Sequence, residues 1–186
     1  MTPFPLPVIG MCAYSGTGKT TLLARLIPLL KQRKLRIGIV KHAHHQFDID
    51  HPGKDSYELR HAGAAQVAVA SKNRIAWIRE FDDDKAEPVL AEALAALDTE
   101  HLDLVIAEGF KREDFPKIEL HRPILGKPLM CTEDKNIIAL ATDEPVSLAS
   151  APRLLDLNDI NEIAGFIIAF IEGHDCESDI HTAVNE

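Results

Sequence analysis

The chain has 186 residues, 46% of them hydrophobic and 26% charged, which suits one domain with a substantial core and excludes a disordered or membrane-embedded class. Its net charge of -9 repels phosphate backbones, and no local basic patch offsets it, so nucleic-acid binding is excluded. Cys12, Cys131 and Cys176 are odd in number and far apart, which argues against a disulfide framework and for reduced thiols in the cytoplasm.

The first seven residues, Met-Thr-Pro-Phe-Pro-Leu-Pro, lack the basic and long apolar regions of a secretory signal. Leu6 to Cys12 is a short apolar run, read as a buried strand, that ends in a glycine-rich turn. Thr20 to Lys34 carries Leu22, Leu23, Leu26, Ile27 and Leu30 at helical spacing, with Pro28 expected to kink the helix. Leu35 to Lys41 is a second strand. Strand, turn, helix and strand make the βαβ unit of a parallel sheet.

His42 to Pro52 is polar and reads as a loop. A short helix begins at Asp55, with Asp55 and Glu58 as a capping box and Gly63 as its stop. Gln66 to Ala70 and Arg74 to Glu80 predict an antiparallel hairpin around Ser71-Lys72-Asn73. Residues 81–86 are charged and expected to be exposed. Pro88 to Leu97 is a helix, Leu102 to Ala107 a strand ending at Glu108-Gly109, and Lys117 to His121 a short strand. A loop follows to Asp134, then an apolar strand from Asn136 to Ala141. Asp159 and Glu162 cap a last helix whose stripe includes Ile163, Ile167 and Ile171. The run from Ile163 to Ile171 is too short to cross a bilayer, and no membrane partner is expected. Gly173 is read as the helix stop. The organisation expected is one nucleotide-binding domain over 1–173 with a polar, disordered tail over 174–186.

The chemistry concentrates at Ala13-Tyr14-Ser15-Gly16-Thr17-Gly18-Lys19-Thr20. A P-loop wraps a polyphosphate in main-chain N–H groups, so it needs small residues and glycine. Its lysine neutralises the β- and γ-phosphates, and the next hydroxyl holds Mg²⁺. Ser15, Gly16, Thr17, Gly18, Lys19, Thr20 and Thr21 fill these places, and the helix N-terminus adds a favourable dipole. The first glycine of the usual pattern is Ala13, small enough for the loop to survive. A chance glycine turn would not carry a lysine and two threonines in register.

A P-loop protein also needs a carboxylate for Mg²⁺ at the tip of a neighbouring strand. Glu108 ends a wholly apolar strand and is followed by Gly109, so it is read as a metal ligand and a catalytic residue beside Lys19. Asp48 and Asp50 lie where a nucleotide-sensing switch would lie. Asp48 is taken as a further metal ligand, and a solvated loop is the competing reading. His42, His44, His45 and His51 suggest zinc, but no cysteine is near them, and contacts with phosphate or solvent are the plainer reading.

Taken together, Ser15 to Thr21, Lys41-His42-Ala43-His44-His45, Phe47-Asp48-Ile49-Asp50, Pro52-Gly53-Lys54-Asp55-Ser56, Ala62-Gly63-Ala64 and Glu108-Gly109-Phe110-Lys111 resemble the MobB family of molybdopterin-guanine dinucleotide biosynthesis adaptor proteins. The resemblance covers the chain apart from its tail. It implies an α/β P-loop NTPase fold, with a mainly parallel sheet flanked by helices and an added antiparallel β-hairpin. It implies GTP and Mg²⁺ as ligands, weak GTPase activity and a homodimer formed through an extended β-sheet, for which residues 66–80 are the natural contact. It also implies a MobA-like guanylyltransferase as partner, in the attachment of GMP to molybdopterin.

Base selection stays open at this point. Many GTPases read guanine with Asn-Lys-x-Asp. This chain offers Ala141-Thr142-Asp143-Glu144-Pro145, in which Asp143 is either the guanine acceptor or a turn-forming residue. Two other functions compete with the adaptor. A small-molecule kinase would need an arginine-rich lid, for which Lys111-Arg112 and His121-Arg122-Pro123 are slender material. A metallochaperone GTPase would rest on the histidine loop alone.

Overall fold

The computed structural model describes residues 4–43, 47–81, 87–148 and 152–183, with the backbone alone over 175–183. The chain divides into two compact units, residues Met1–His42 with Val89–Glu186, and residues Ala43–Pro88.

The larger unit is built on a six-stranded sheet in the order β2-β5-β1-β6-β7-β8, and all its neighbours pair in parallel. The strands are β1 (Val8–Ala13), β2 (Ile37–Lys41), β5 (Leu104–Glu108), β6 (Lys117–His121), β7 (Ile137–Thr142) and β8 (Arg153–Asp156). Helix α1 (Lys19–Gln32) starts directly after the turn that follows β1 and continues through Pro28. Just beyond its end Lys34, at φ 66°, turns the chain left-handed so that Leu35 N–H reaches back to the Leu30 carbonyl.

Helices α1 and α4 (Ile160–Ala183) cover one sheet face, where Leu26, Leu30, Ile163 and Ile167 pack on Ile9, Ile106, Ile118 and Leu120. The opposite face carries Val105 and Ala107 under Phe110 and the short helix α3 (Leu90–Leu94). Burial of these aliphatic chains, about 1.5–3 kcal/mol each, is the main force holding the two layers to the sheet.

Strand β6 does not follow the usual pattern of one apolar and one solvated face. Ile118 and Leu120 face the helices, while Lys117, Glu119 and His121 point the other way and are also buried. The charges of Lys117 and Glu119 are matched by the segments that flank them. Glu119 accepts the Met130 and Cys131 amides at 2.8 Å each, and Lys117 donates to Asp134 at 2.9 Å and to the Glu113 carbonyl at 2.6 Å. Burial on this face, with Glu119 nearby, pushes the Cys12 thiol up to about 12, so it stays protonated and unreactive at neutral pH.

Asp159 caps α4, accepting from Asn161 N–H at 2.9 Å and Glu162 N–H at 3.3 Å. The helix continues past Gly173 to Ala183, beyond the stop expected at that glycine. Gly173 is not among the glycines with positive φ, and a helical glycine costs only about 1 kcal/mol. The expected tail over 174–186 therefore has helical backbone up to Ala183.

The smaller unit holds helix α2 (Asp55–His61) and the hairpin of β3 (Gln66–Ser71) and β4 (Arg74–Arg79), antiparallel as expected. The cap of α2 differs from the reading of its sequence. Lys54 is the N-cap residue, and Glu58 accepts the Gly53 N–H at 3.1 Å instead of pairing with Asp55. Gly63 closes the helix at φ 106°, with Ala64 N–H bonded to the Leu59 carbonyl.

Candidate functional site

The turn between β1 and α1 needs two left-handed residues, Gly16 at φ 86° and Gly18 at φ 95°. A side chain at either would be strained by its backbone, yet a Cβ there would meet no protein atom within 4 Å. The glycines are thus required by conformation, and both face open space. Gly18 is the N-cap of α1 and supplies no side-chain cap, so the first amides of the helix are left for another acceptor. These features fit a polyphosphate.

Thr17 is the buried residue of the turn and braces it from within. Its Oγ1 donates to the Tyr14 carbonyl at 2.9 Å, and its N–H reaches the same oxygen at 3.3 Å. Ser15, Thr20 and Thr21 are exposed and Lys19 is half-buried. Ala13 is the last residue of β1, buried in the apolar layer against α1, which suits a methyl group where the usual motif has glycine.

Lys19 and Glu108 are brought together, as the sequence suggested. β5 lies beside β1, and Glu108 at its end accepts from Lys19 Nζ at 3.0 Å. Lys41, the last residue of β2, lies 3.8 Å from the same oxygen. One carboxylate therefore sits between two ammonium groups at the carboxyl ends of three adjacent strands, where ligands of open α/β sheets bind. Gly109 keeps this strand end in place. Its φ is 99°, and a Cβ would come within 2.9 Å of the His42 carbonyl oxygen, while His42 N–H donates to the Glu108 carbonyl at 2.8 Å.

Asp48 and Asp50 are engaged within the smaller unit. Arg60 Nη2 donates to Asp48 at 2.5 Å and to Asp50 at 2.7 Å, and Nη1 donates to Glu80 at 2.8 Å. The Arg60 hydrogen bond holds the Asp50 carboxyl below its ordinary range despite partial desolvation. Asp48 serves as an anchor for Arg60. Among the described residues no three His, Cys, Asp or Glu side chains group to hold a metal ion. His44 and His45 lie outside the described residues. A Mg²⁺ held by one hydroxyl, one carboxylate and waters needs no such group, and Thr20 with Glu108 is a donor set of that kind.

Two basic residues that the sequence reading did not place in the site buttress the turn. Lys111 Nζ donates to the Ala13 carbonyl at 2.9 Å and lies 5.5 Å from the Tyr14 ring. Arg122, directly after β6, donates from Nε to the Thr17 carbonyl at 3.0 Å and from Nη1 to Asp143. The signal available in the sequence was a cation just past a strand end. A cleft of about 400 Å³ opens beside Tyr14, Lys111, Lys117 and Asn136, to one side of Gly16–Thr20. A P-loop grips phosphate on the surface of a turn, so the grip needs no enclosed cavity. No helix among the described residues is long and apolar enough to cross a membrane.

Comparison with known proteins agrees with this geometry. The family model for molybdopterin guanine dinucleotide synthesis protein B, MobB, matches residues 8–143. A molybdopterin-guanine dinucleotide biosynthesis adapter protein of Escherichia coli (strain K12) is 46% identical over 168 residues, covering 90% of this chain and 94% of that protein. Its Haemophilus influenzae counterpart is 43% identical over 163 residues, covering 87% and 88%. A crystal structure of molybdopterin-guanine biosynthesis protein B superposes with a TM-score of 0.66 at 26% identity, covering 87% of this chain and 98% of that one. The chain belongs to the MobB family.

Proposed function

We propose that this chain is a GTP-binding adapter that assists the attachment of GMP to molybdopterin, working with a MobA-like guanylyltransferase in the cytoplasm. The relatives named as biosynthesis adapters support the pathway. The observation that carries the nucleotide reading is the Lys19–Glu108 pair at 3.0 Å, beneath a turn whose glycines face open space. The amides of the turn and Lys19 would take the β- and γ-phosphates, and Thr20 and Glu108 would hold Mg²⁺. Bound Mg²⁺ supplies charge neutralisation at the phosphates.

Any hydrolysis should be slow. Lys19 can stabilise developing phosphate charge, but among the described residues no glutamine is set to position a water, and Arg122 is occupied with Thr17 and Asp143. The test is a thermal melt. GTP with Mg²⁺ at about a hundred times Kd should stabilise the chain by about 2.7 kcal/mol, a rise in Tm of about 5–10 °C. Added to a purified guanylyltransferase with GTP and molybdopterin, the chain should also speed product formation. No shift with any nucleoside triphosphate would refute the reading.

The homodimer expected of the family is supported by the hairpin. A two-stranded sheet alone is marginal, and among the described residues neither of its edges pairs with a further strand. Ile75 is 74% exposed and Trp77 46% exposed on one face of β4. Replacing both with Asp should weaken association about tenfold or more in sedimentation experiments, since aromatic and aliphatic anchors dominate such contacts. An unchanged dimer would move the interface elsewhere.

A further inference from the structure

We propose that Arg122 and Asp143 together form the guanine-reading device of this chain, with Arg122 replacing the missing Asn-Lys pair as the tether between base site and phosphate site. The inference rests on the nucleotide reading above and specifies the base.

Topology sets the place. Beyond the P-loop strand β1 the sheet continues through β6 to β7, and Asp143 is the first residue after β7. Arg122 is the first residue after β6, the strand between them. Its guanidinium therefore spans two strand ends. Nε donates to the Thr17 carbonyl inside the turn, and Nη1 donates to Asp143 Oδ2. A planar fork suits this task because it holds two acceptors in fixed relation, which a lysine cannot do.

Asp143 carries the second observation. Its other oxygen, Oδ1, is buried and has no hydrogen-bond donor among the described residues. A buried carboxylate oxygen without a donor is costly and calls for a partner. Arg122 occupies one oxygen and fixes the plane of the carboxylate, so a ligand donor can complete the other. Guanine offers two donors on one edge, the ring N1–H and the N2 amino group. Adenine presents an acceptor at N1 and would set lone pair against lone pair. The turn-forming reading of Asp143 explains neither the arginine nor the orphan oxygen.

The test uses the full chain with Mg²⁺ and GTP, ITP, XTP or ATP in calorimetric titrations. ITP lacks the N2 amino group and should bind about tenfold more weakly than GTP, and ATP about a hundredfold. Asp143→Asn, whose amide donates where the carboxylate accepts, should lose GTP and gain XTP. Arg122→Ala should shrink the GTP/ITP ratio to about threefold or less, and the ratio is the readout because losing the bond to the Thr17 carbonyl loosens the turn for every triphosphate alike. Circular dichroism melts of both variants check folding. Equal weakening of every nucleotide in Arg122→Ala would make the arginine a brace only and overturn the proposal. So would a wild-type chain that binds GTP and ITP alike, although the P-loop reading would survive. A wild-type chain that binds no triphosphate would end both.

Discussion

Lys19→Ala is expected to lower GTP affinity by at least about a hundredfold, while the folded chain melts within a few degrees of wild type. Lys19 is half-buried at the start of α1, and Glu108 is the one ionic partner of its ammonium group among the described residues. Charge-assisted bonds from that group to phosphate are worth about 1.5–3 kcal/mol each, and losing two of them accounts for the effect. The fold loses little because alanine favours helix and the apolar stripe of α1 is untouched. Glu108 keeps only Lys41, at 3.8 Å, so a modest loss of stability is expected. Titration with a fluorescent GTP analogue measures the effect. Near-normal affinity would remove Lys19 from the phosphate site.

Glu108→Gln separates binding from turnover. The amide has the shape of the carboxylate but brings no charge to Mg²⁺, so Mg²⁺-dependent hydrolysis should fall about a hundredfold. Binding should respond in the opposite sense when the metal is removed. With the carboxylate gone, Lys19 no longer holds its 3.0 Å ion pair and meets phosphate without having to break it. In EDTA the variant should therefore bind GTP at least as tightly as wild type. Phosphate release assays and titrations with and without Mg²⁺ make the comparison. An unchanged hydrolysis rate would clear Glu108 of the metal role.

The parts of this protein that were legible in the sequence are those whose cause is local. Gly16 and Gly18 announce a left-handed turn, and an apolar run ending in Glu108-Gly109 announces a buried strand with a carboxylate at its tip. The parallel sheet and hairpin follow from the same kind of evidence, and both are found. Contacts across long stretches of chain were not legible. Arg122 meets Thr17 across 105 residues, and nothing near it in sequence distinguishes it from a surface cation. The engagement of Asp48 by Arg60 was not legible because that arginine stands on α2, 12 residues further on. Strand β8 escaped notice because Arg153–Asp156 is four residues long and mostly exposed. The capping of α2 was misassigned by one residue because Lys54 holds the extended cap position without a side-chain bond.

The doubly buried strand β6 has a consequence for assembly. A slip of one residue against β1 or β7 would turn Lys117, Glu119 and His121 into the aliphatic layer of α1 and α4. Polar side chains stranded there without their partners would cost several kcal/mol, far more than any gain from a shifted ladder. The strand thus proofreads its own alignment. Because Arg122 is the next residue, the same proofreading delivers its guanidinium to the Thr17 carbonyl each time the chain folds.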